Sequence, residues 1–190
     1  AFFGVFNSLS QTLLKIASPG VADFYQGTEI WDFSLVDPDN RRPVDYDLRT
    51  RILEQLRKVI EESGSHLDQL AREFVASAQD GRIKMYLIHT ALASRRQHRE
   101  LFSEGAYIAL QATGEARENL CAFARRRGQR TVSAAVPRLV AGLTGGREVA
   151  PLGEEGWGAS RLTPPRDALC RWYRTMLTGQ IVWSDAIEAG

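Results

Sequence analysis

Apolar positions recur at helical spacing from the start of the chain. Phe3, Phe6, Leu9, Leu13 and Ile16 fall on one face, and the pattern breaks at Ser18-Pro19-Gly20. The next apolar stretch, residues 21–25, is too short for a helix and is predicted to be a buried strand ending at Gln26-Gly27. Residues 30–47 read as a long polar loop rich in Asp, Asn, Arg and Pro, and loops of that length in compact domains usually serve a site. Leu48, Ile52, Leu56, Val59 and Ile60 mark a second helix, with Asp47 as its expected N-cap and Gly64 at its end. Leu67, Leu70, Phe74 and Val75 give a third helix starting near Ser65. A fourth runs from about Gly81 to His98 on Ile83, Tyr86, Leu87 and Ala91.

After Gly105 the period changes from helical to short β-type runs: residues 107–111, 120–124 and 131–136, then weaker ones at 157–162 and 180–183. Thr113-Gly114-Glu115 and the run Arg125-Arg126-Arg127 before Gly128 supply turns between them. The change places a boundary near residue 104. Helix, turn, buried strand and polar loop, in that order, is the succession found in α/β barrels.

Composition narrows the function classes. With 44% hydrophobic and 25% charged residues the chain has an ordinary globular make-up, and a net charge of +1 gives no global attraction to nucleic acid or to an anionic membrane. No apolar run approaches the ~20 residues that span a bilayer. The two cysteines, Cys121 and Cys170, form neither a disulfide framework nor a zinc pattern and are expected to stay reduced, as in the cytoplasm. His66, His89 and His98 have no metal-ligand spacing, so no metal is expected. Because the chain opens inside an amphipathic helical pattern, with neither a leader nor an initiator Met, it reads as a piece of a longer protein. Self-association through the uncovered barrel surface is therefore a further expectation.

Two segments carry candidate chemistry. In Pro19-Gly20-Val21-Ala22-Asp23-Phe24-Tyr25-Gln26-Gly27-Thr28-Glu29 a strand ends in an aromatic, an amide, a glycine and a carboxylate. Tyr25 suits stacking on a sugar face, Gln26 hydrogen bonds to hydroxyls, and Gly27 a close backbone approach. The structural alternative is a strand end whose Glu29 pairs with a nearby Arg. In Asp37-Pro38-Asp39-Asn40-Arg41-Arg42-Pro43-Val44-Asp45-Tyr46 two carboxylates, an amide and two guanidiniums suit a hydroxyl-rich ligand. Here the alternative is a loop locked by internal Asp–Arg pairs. Arg95-Arg96-Gln97-His98-Arg99 lacks interleaved aromatics and reads as a solvated helix terminus rather than a nucleic-acid patch. Trp157, Trp172 and Trp183 read as packing residues of a small β domain.

Taken together, the two segments resemble the eighth-strand region of the α-amylase superfamily, and the maltooligosyltrehalose synthase family within it. The likeness continues through Asp80-Gly81-Arg82-Ile83-Lys84, Arg95-Arg96 and Leu101-Phe102-Ser103-Glu104-Gly105-Ala106-Tyr107. It implies an α+β chain. Residues 1–104 would be the helical C-terminal part of a (β/α)8 barrel, and residues 105–190 a small antiparallel β-sandwich domain. It also implies intramolecular transfer of a glucosyl unit from an α-1,4 to an α,α-1,1 link, on maltooligosaccharides or glycogen-derived glucan and with no cofactor. Such retaining chemistry needs a carboxylate pair about 5–5.5 Å apart. In the family that pair belongs to earlier barrel strands, so no catalytic residue is assigned in this chain. Tyr25, Gln26, Glu29, Asp37 and Arg41 would bind or brace substrate. Two other readings remain open at this point: another α-glucan glucanotransferase or hydrolase, and a non-catalytic carbohydrate-binding module.

Overall fold

The structure, a computed structural model, describes residues 2–35, 37–163 and 172–183. Helix α1, Phe2–Ala17, follows the apolar spacing and buries Phe6, Ile16 and Ala17. α2, Tyr46–Ser63, starts at Asp45 rather than at the expected Asp47: Asp45 Oδ1 accepts from Leu48 N at 2.8 Å. Asp47 sits in the first turn instead, where its charge still meets the positive end of the helix dipole. α3, Leu67–Ala76, begins two residues later than Ser65, and α4, Arg82–Gln97, holds closely to the sequence reading. Gly81 joins a short 3-10 turn, Ala78–Asp80, to α4 with φ 81. A Cβ at Gly81 would lie 3.1 Å from Trp31 N and 3.1 Å from Ile30 Cβ, so glycine is what lets the chain at residues 30–31 pass. A further helix, α5, Arg99–Glu104, lies where the sequence showed only a helix end.

Leu56, Leu70, Phe74, Ile83 and Tyr86 form one core shared by α2, α3 and α4. Ile16 and Ile88 join α1 to α4 in a second, with Ala22 and Phe24 packed against it. Residues 21–25 pair with no strand among the described residues, which corrects the buried-strand expectation. The period of two survives: Ala22 and Phe24 face the helices, while Val21 is 94% exposed and Tyr25 51% exposed. The segment has the side-chain alternation of a strand and lacks the neighbouring ladder that would make it one.

Arg95 corrects a second expectation. Its guanidinium donates to the carbonyls of Ile16, Ser18 (3.0 Å) and Gly20, taking up the open C-terminal end of α1 from α4. It is a tertiary cap rather than a solvated terminus.

The second half is antiparallel, as expected. β1, Ala106–Ala109, pairs with β3, Leu120–Arg127, which pairs in turn with β4, Arg130–Pro137. β2, Ala112–Thr113, pairs with β5, Arg161–Leu162, and β6, Trp172–Arg174, with β7, Ile181–Trp183. Arg125, Arg126 and Arg127 belong to β3, and the turn expected there is two residues further on: Arg127 faces Arg130, leaving Gly128-Gln129 as the hairpin loop. Two short helices, α6 at Val140–Leu143 and α7 at Gly153–Trp157, follow β4. Trp157 therefore ends a helix, its Nε1 donating to Pro151 O at 2.9 Å, instead of opening a strand. Trp172 is 49% exposed, against the packing role expected of it. Cys121, half-buried in β3, is a free thiol, whereas Cys170 and the Trp183 side chain lie outside the described residues.

The helices and the sheet share a core. Ala17 and Phe102 pack on Phe123 and Ala134, and Ser10 Oγ donates to Pro137 O at 2.9 Å. Arg125, 2% exposed, donates through Nε and Nη2 to Gly105 O at 3.2 and 2.6 Å, tying β3 to the end of α5. Tyr86 Oη donates to Leu177 O at 2.5 Å, anchoring the β6–β7 hairpin on α4. Among the described residues no helix is long and apolar enough to cross a membrane.

Candidate functional site

The two motif segments, separated in sequence by a polar stretch, come together at the start of α2. After Phe24 the chain turns over residues 26–29, closed by Thr28 N and Thr28 Oγ1 on Tyr25 O at 3.1 and 2.7 Å. Gly27 has φ 92, and a Cβ there would meet Val44 Cγ2 at 3.1 Å. The turn can therefore close against the second loop only with glycine.

Three ties connect the segments. Tyr25 Oη donates to Asn40 O at 3.2 Å, and Tyr46 Oη donates to Gln26 Oε1 at 3.2 Å. The third is Arg49, on the first turn of α2, which the sequence reading did not single out. Its Nε donates to Glu29 Oε2 at 3.1 Å, its Nη2 to Gly27 O at 2.5 Å and its Nη1 to Asp45 O at 3.0 Å. One guanidinium thus fixes the carboxylate, the turn and the helix start together. The planar fork of arginine makes this possible where a lysine ammonium could not. The only sequence signal was its place four residues after Asp45, which an amphipathic helix hides among its polar positions.

Asp37 and Arg41 pair with each other at 2.7 Å, and Asp39 with Arg42 at 2.6 Å, on either side of a 3-10 turn, Asp39–Arg41. The side chains of Arg41 and Asp37 remain 71% and 56% exposed. Both groups therefore keep free hydrogen-bonding capacity toward solvent. Asn40 Oδ1, by contrast, is enclosed and accepts no hydrogen bond among the described residues. The segment carrying Tyr25, Gln26 and Glu29 is thus tied to the segment carrying Asp37 and Arg41. Glu29 is braced by Arg49, Tyr25 and Gln26 are tied to the second segment, and Asp37 and Arg41 keep exposed side chains.

Trp31 anchors the far side of the loop by donating from Nε1 to Ala78 O at 2.7 Å. Asp32 accepts from Ser34 N at 2.9 Å, and its hydrogen bonds to Ser34 hold its carboxyl below the usual range. Lys84 lies beneath, near Ile30 O and the Trp31 ring. Burial and the nearby Lys15 push its ammonium down, while Asp32 and Glu29 act the other way. Phe33 and Leu35, 85% and 76% exposed, extend the surface with apolar area. Among the described residues no group of three or more His, Cys, Asp or Glu side chains is placed to hold a metal ion.

No family model matches the chain. Two Mycobacterium tuberculosis proteins assigned as maltooligosyl trehalose synthases are 39% identical to it over 119 residues. That match covers 63% of this chain and 12% of theirs. Among solved structures, maltooligosyltrehalose synthase from Arthrobacter ramosus aligns with 95% of the chain at 33% identity and a TM-score of 0.69. A second maltooligosyl trehalose synthase crystal structure aligns with 96% at 31% identity and a TM-score of 0.62. The chain spans about a fifth of the length of each of these structures. In sequence and in fold alike, it is similar to one part of the maltooligosyltrehalose synthases.

Proposed function

We propose that this chain is the C-terminal portion of an intramolecular transglucosylase that converts the reducing end of maltooligosaccharides into a trehalose end, and that it supplies part of the glucan-binding rim. In this reading residues 1–104 close a (β/α)8 barrel and residues 105–190 form its terminal β domain. Residues 21–25 then stand in the place of the last barrel strand, with a neighbouring strand completing the ladder they lack here. Polar groups just beyond such a strand face the barrel mouth.

The observation that carries the reading is the joined pair of loops that carries Tyr25, Gln26, Glu29, Asp37 and Arg41. Their residues match the family, and Arg49 holds the two together. The carboxylates of these loops are engaged by guanidiniums: Glu29 by Arg49, Asp37 by Arg41, Asp39 by Arg42. That suits them to hydrogen-bonding sugar hydroxyls and to holding loops, while nucleophile and acid/base belong to other strands of the complete enzyme. Tyr25 offers a half-exposed ring to a glucose face.

A chimera tests the proposal. These 190 residues replace the corresponding segment of the Arthrobacter ramosus enzyme, and the product from maltopentaose is analysed. Non-reducing, trehalose-ended oligosaccharide is the expected result. A folded chimera that only hydrolyses maltopentaose, or leaves it untouched, would refute the assignment. The 190-residue chain alone is expected to form no such product.

A further inference from the structure

Beside Glu29, α2 and α4 leave a cleft of about 320 Å³. Its floor is apolar, made by Leu53, Met85, Ile88 and Leu92, and its rim carries Arg57 from α2 and Arg96 and His89 from α4. Arg57 and Arg96 are exposed, and neither forms an ion pair or hydrogen bond among the described residues. The one carboxylate at the cleft, Glu29, is already held by Arg49. Both guanidiniums act on the half-buried imidazole between them. Burial first, then Arg57 and Arg96, lower the His89 pKa from its ordinary value. The cleft therefore has uncompensated positive charge above an apolar floor, with one guanidinium supplied by each of two helices.

We propose that this cleft binds a small organic anion, a phosphate ester or a carboxylate, whose oxygens bridge Arg57 and Arg96 and whose body rests on Leu53, Ile88 and Leu92. Two guanidiniums on the lining of one opening supply the fork donors that an oxyanion accepts in bidentate fashion. The volume lies at the lower end of small-molecule sites, which favours a compact ligand over a glucan chain or a folded peptide. The site is separate from the glucan surface and touches it only through Glu29. An anion bound there would sense, through the Glu29–Arg49 pair, how the substrate turn is set.

His89 provides the readout. The charged groups facing it are Arg57 on α2, Arg96 on α4 and, at the cleft end, Glu29. An anion between the arginines cancels their repulsion and raises the imidazole pKa, so binding takes up protons and strengthens as pH falls through the His89 titration. The 190-residue chain has three histidines, so its imidazole NMR signals are assignable with a His89→Gln control.

Phenyl phosphate, benzoate and, as neutral control, phenol are titrated in separate experiments. A saturable shift confined to His89 with either anion and absent with phenol is expected, together with a raised His89 pKa in the complex. Saturation by phenyl phosphate alone assigns the site to phosphate esters, and equal saturation by benzoate extends it to carboxylates. In Arg57→Gln/Arg96→Gln the dissociation constant should rise at least about tenfold, and Arg57→Lys/Arg96→Lys should retain part of the binding. Circular dichroism confirms that each variant is folded. Absence of saturation, an equal response at His66 and His98, or binding unchanged in the double glutamine variant would overturn the proposal.

Discussion

Arg49→Ala gives the most direct test of how the candidate site is built. The side chain is 16% exposed and donates to Glu29, Gly27 O and Asp45 O. Removing it withdraws three charge-assisted hydrogen bonds. The two carbonyls can recover water once the turn loosens, so each bond accounts for about 1 kcal/mol rather than the full cost of a buried orphan. Glu29 is 34% exposed, and its ion pair is therefore discounted to about 1 kcal/mol. Together the loss is about 3 kcal/mol. For a chain of this size it should lower the melting temperature by about 6–12 °C.

Scanning calorimetry and urea unfolding give the same quantity by independent routes. Glu29→Gln removes only the ion pair and should cost about 1 kcal/mol. Added to Arg49→Ala it should cost almost nothing further, because the two residues share one interaction. Arg49→Lys keeps the charge without the fork and should recover less than half of the loss. An Arg49→Ala variant destabilised by less than ~0.5 kcal/mol, or one whose effect adds fully to that of Glu29→Gln, would show that Arg49 does not hold the site together.

Other expectations follow from the same geometry. Arg41→Ala breaks only an exposed pair, so unfolding free energy should change by less than about 1 kcal/mol, while KM in the chimera should rise about tenfold with little change in kcat. A large fall in stability with unchanged kinetics would instead make that loop a clamp. Arg95→Ala opens the C-terminal carbonyls of α1 and should cost about 2–3 kcal/mol, with faster amide exchange at residues 16–22 as the specific sign. Gly105→Ala would place a Cβ 2.2 Å from Leu101 O and disturb the carbonyl that Arg125 needs. A loss of about 3 kcal/mol or more is expected in urea unfolding, and a near-neutral result would contradict the tight α5–β1 junction.

Local order was legible in the sequence wherever neighbours in the chain decide it. The period at Phe3, Phe6, Leu9, Leu13 and Ile16 gave α1, and Gly64 marked the end of α2. Asp45 and Asp47 are both competent caps, and only the backbone at Leu48 decides between them. Residues 21–25 show a different limit. Their alternation was readable, but being a strand is a property of a pair, and the sequence does not name the partner. The arginines were the hardest to read. Arg95 looked like the polar end of α4, yet its acceptors lie more than seventy residues earlier. Arg125 read as part of a charged turn, yet it is buried and bound to Gly105 O. In the site, Tyr25, Gln26, Glu29, Asp37 and Arg41 stood out because they sit at a strand end and in a long polar loop, whereas Arg49 on a helix did not.

The position of α1 has a consequence for how the chain melts. Ile16 closes the core with α4, and Ala17, the next residue, closes the core beneath β3 and β4. Neither set of side chains is sealed from water unless that one helix is in place. Heat should therefore unfold the helical and sheet regions in a single cooperative transition, with calorimetric and van't Hoff enthalpies in agreement. By the same reasoning, cleavage after Glu104 would give two polypeptides that regain native structure when mixed and not when kept apart.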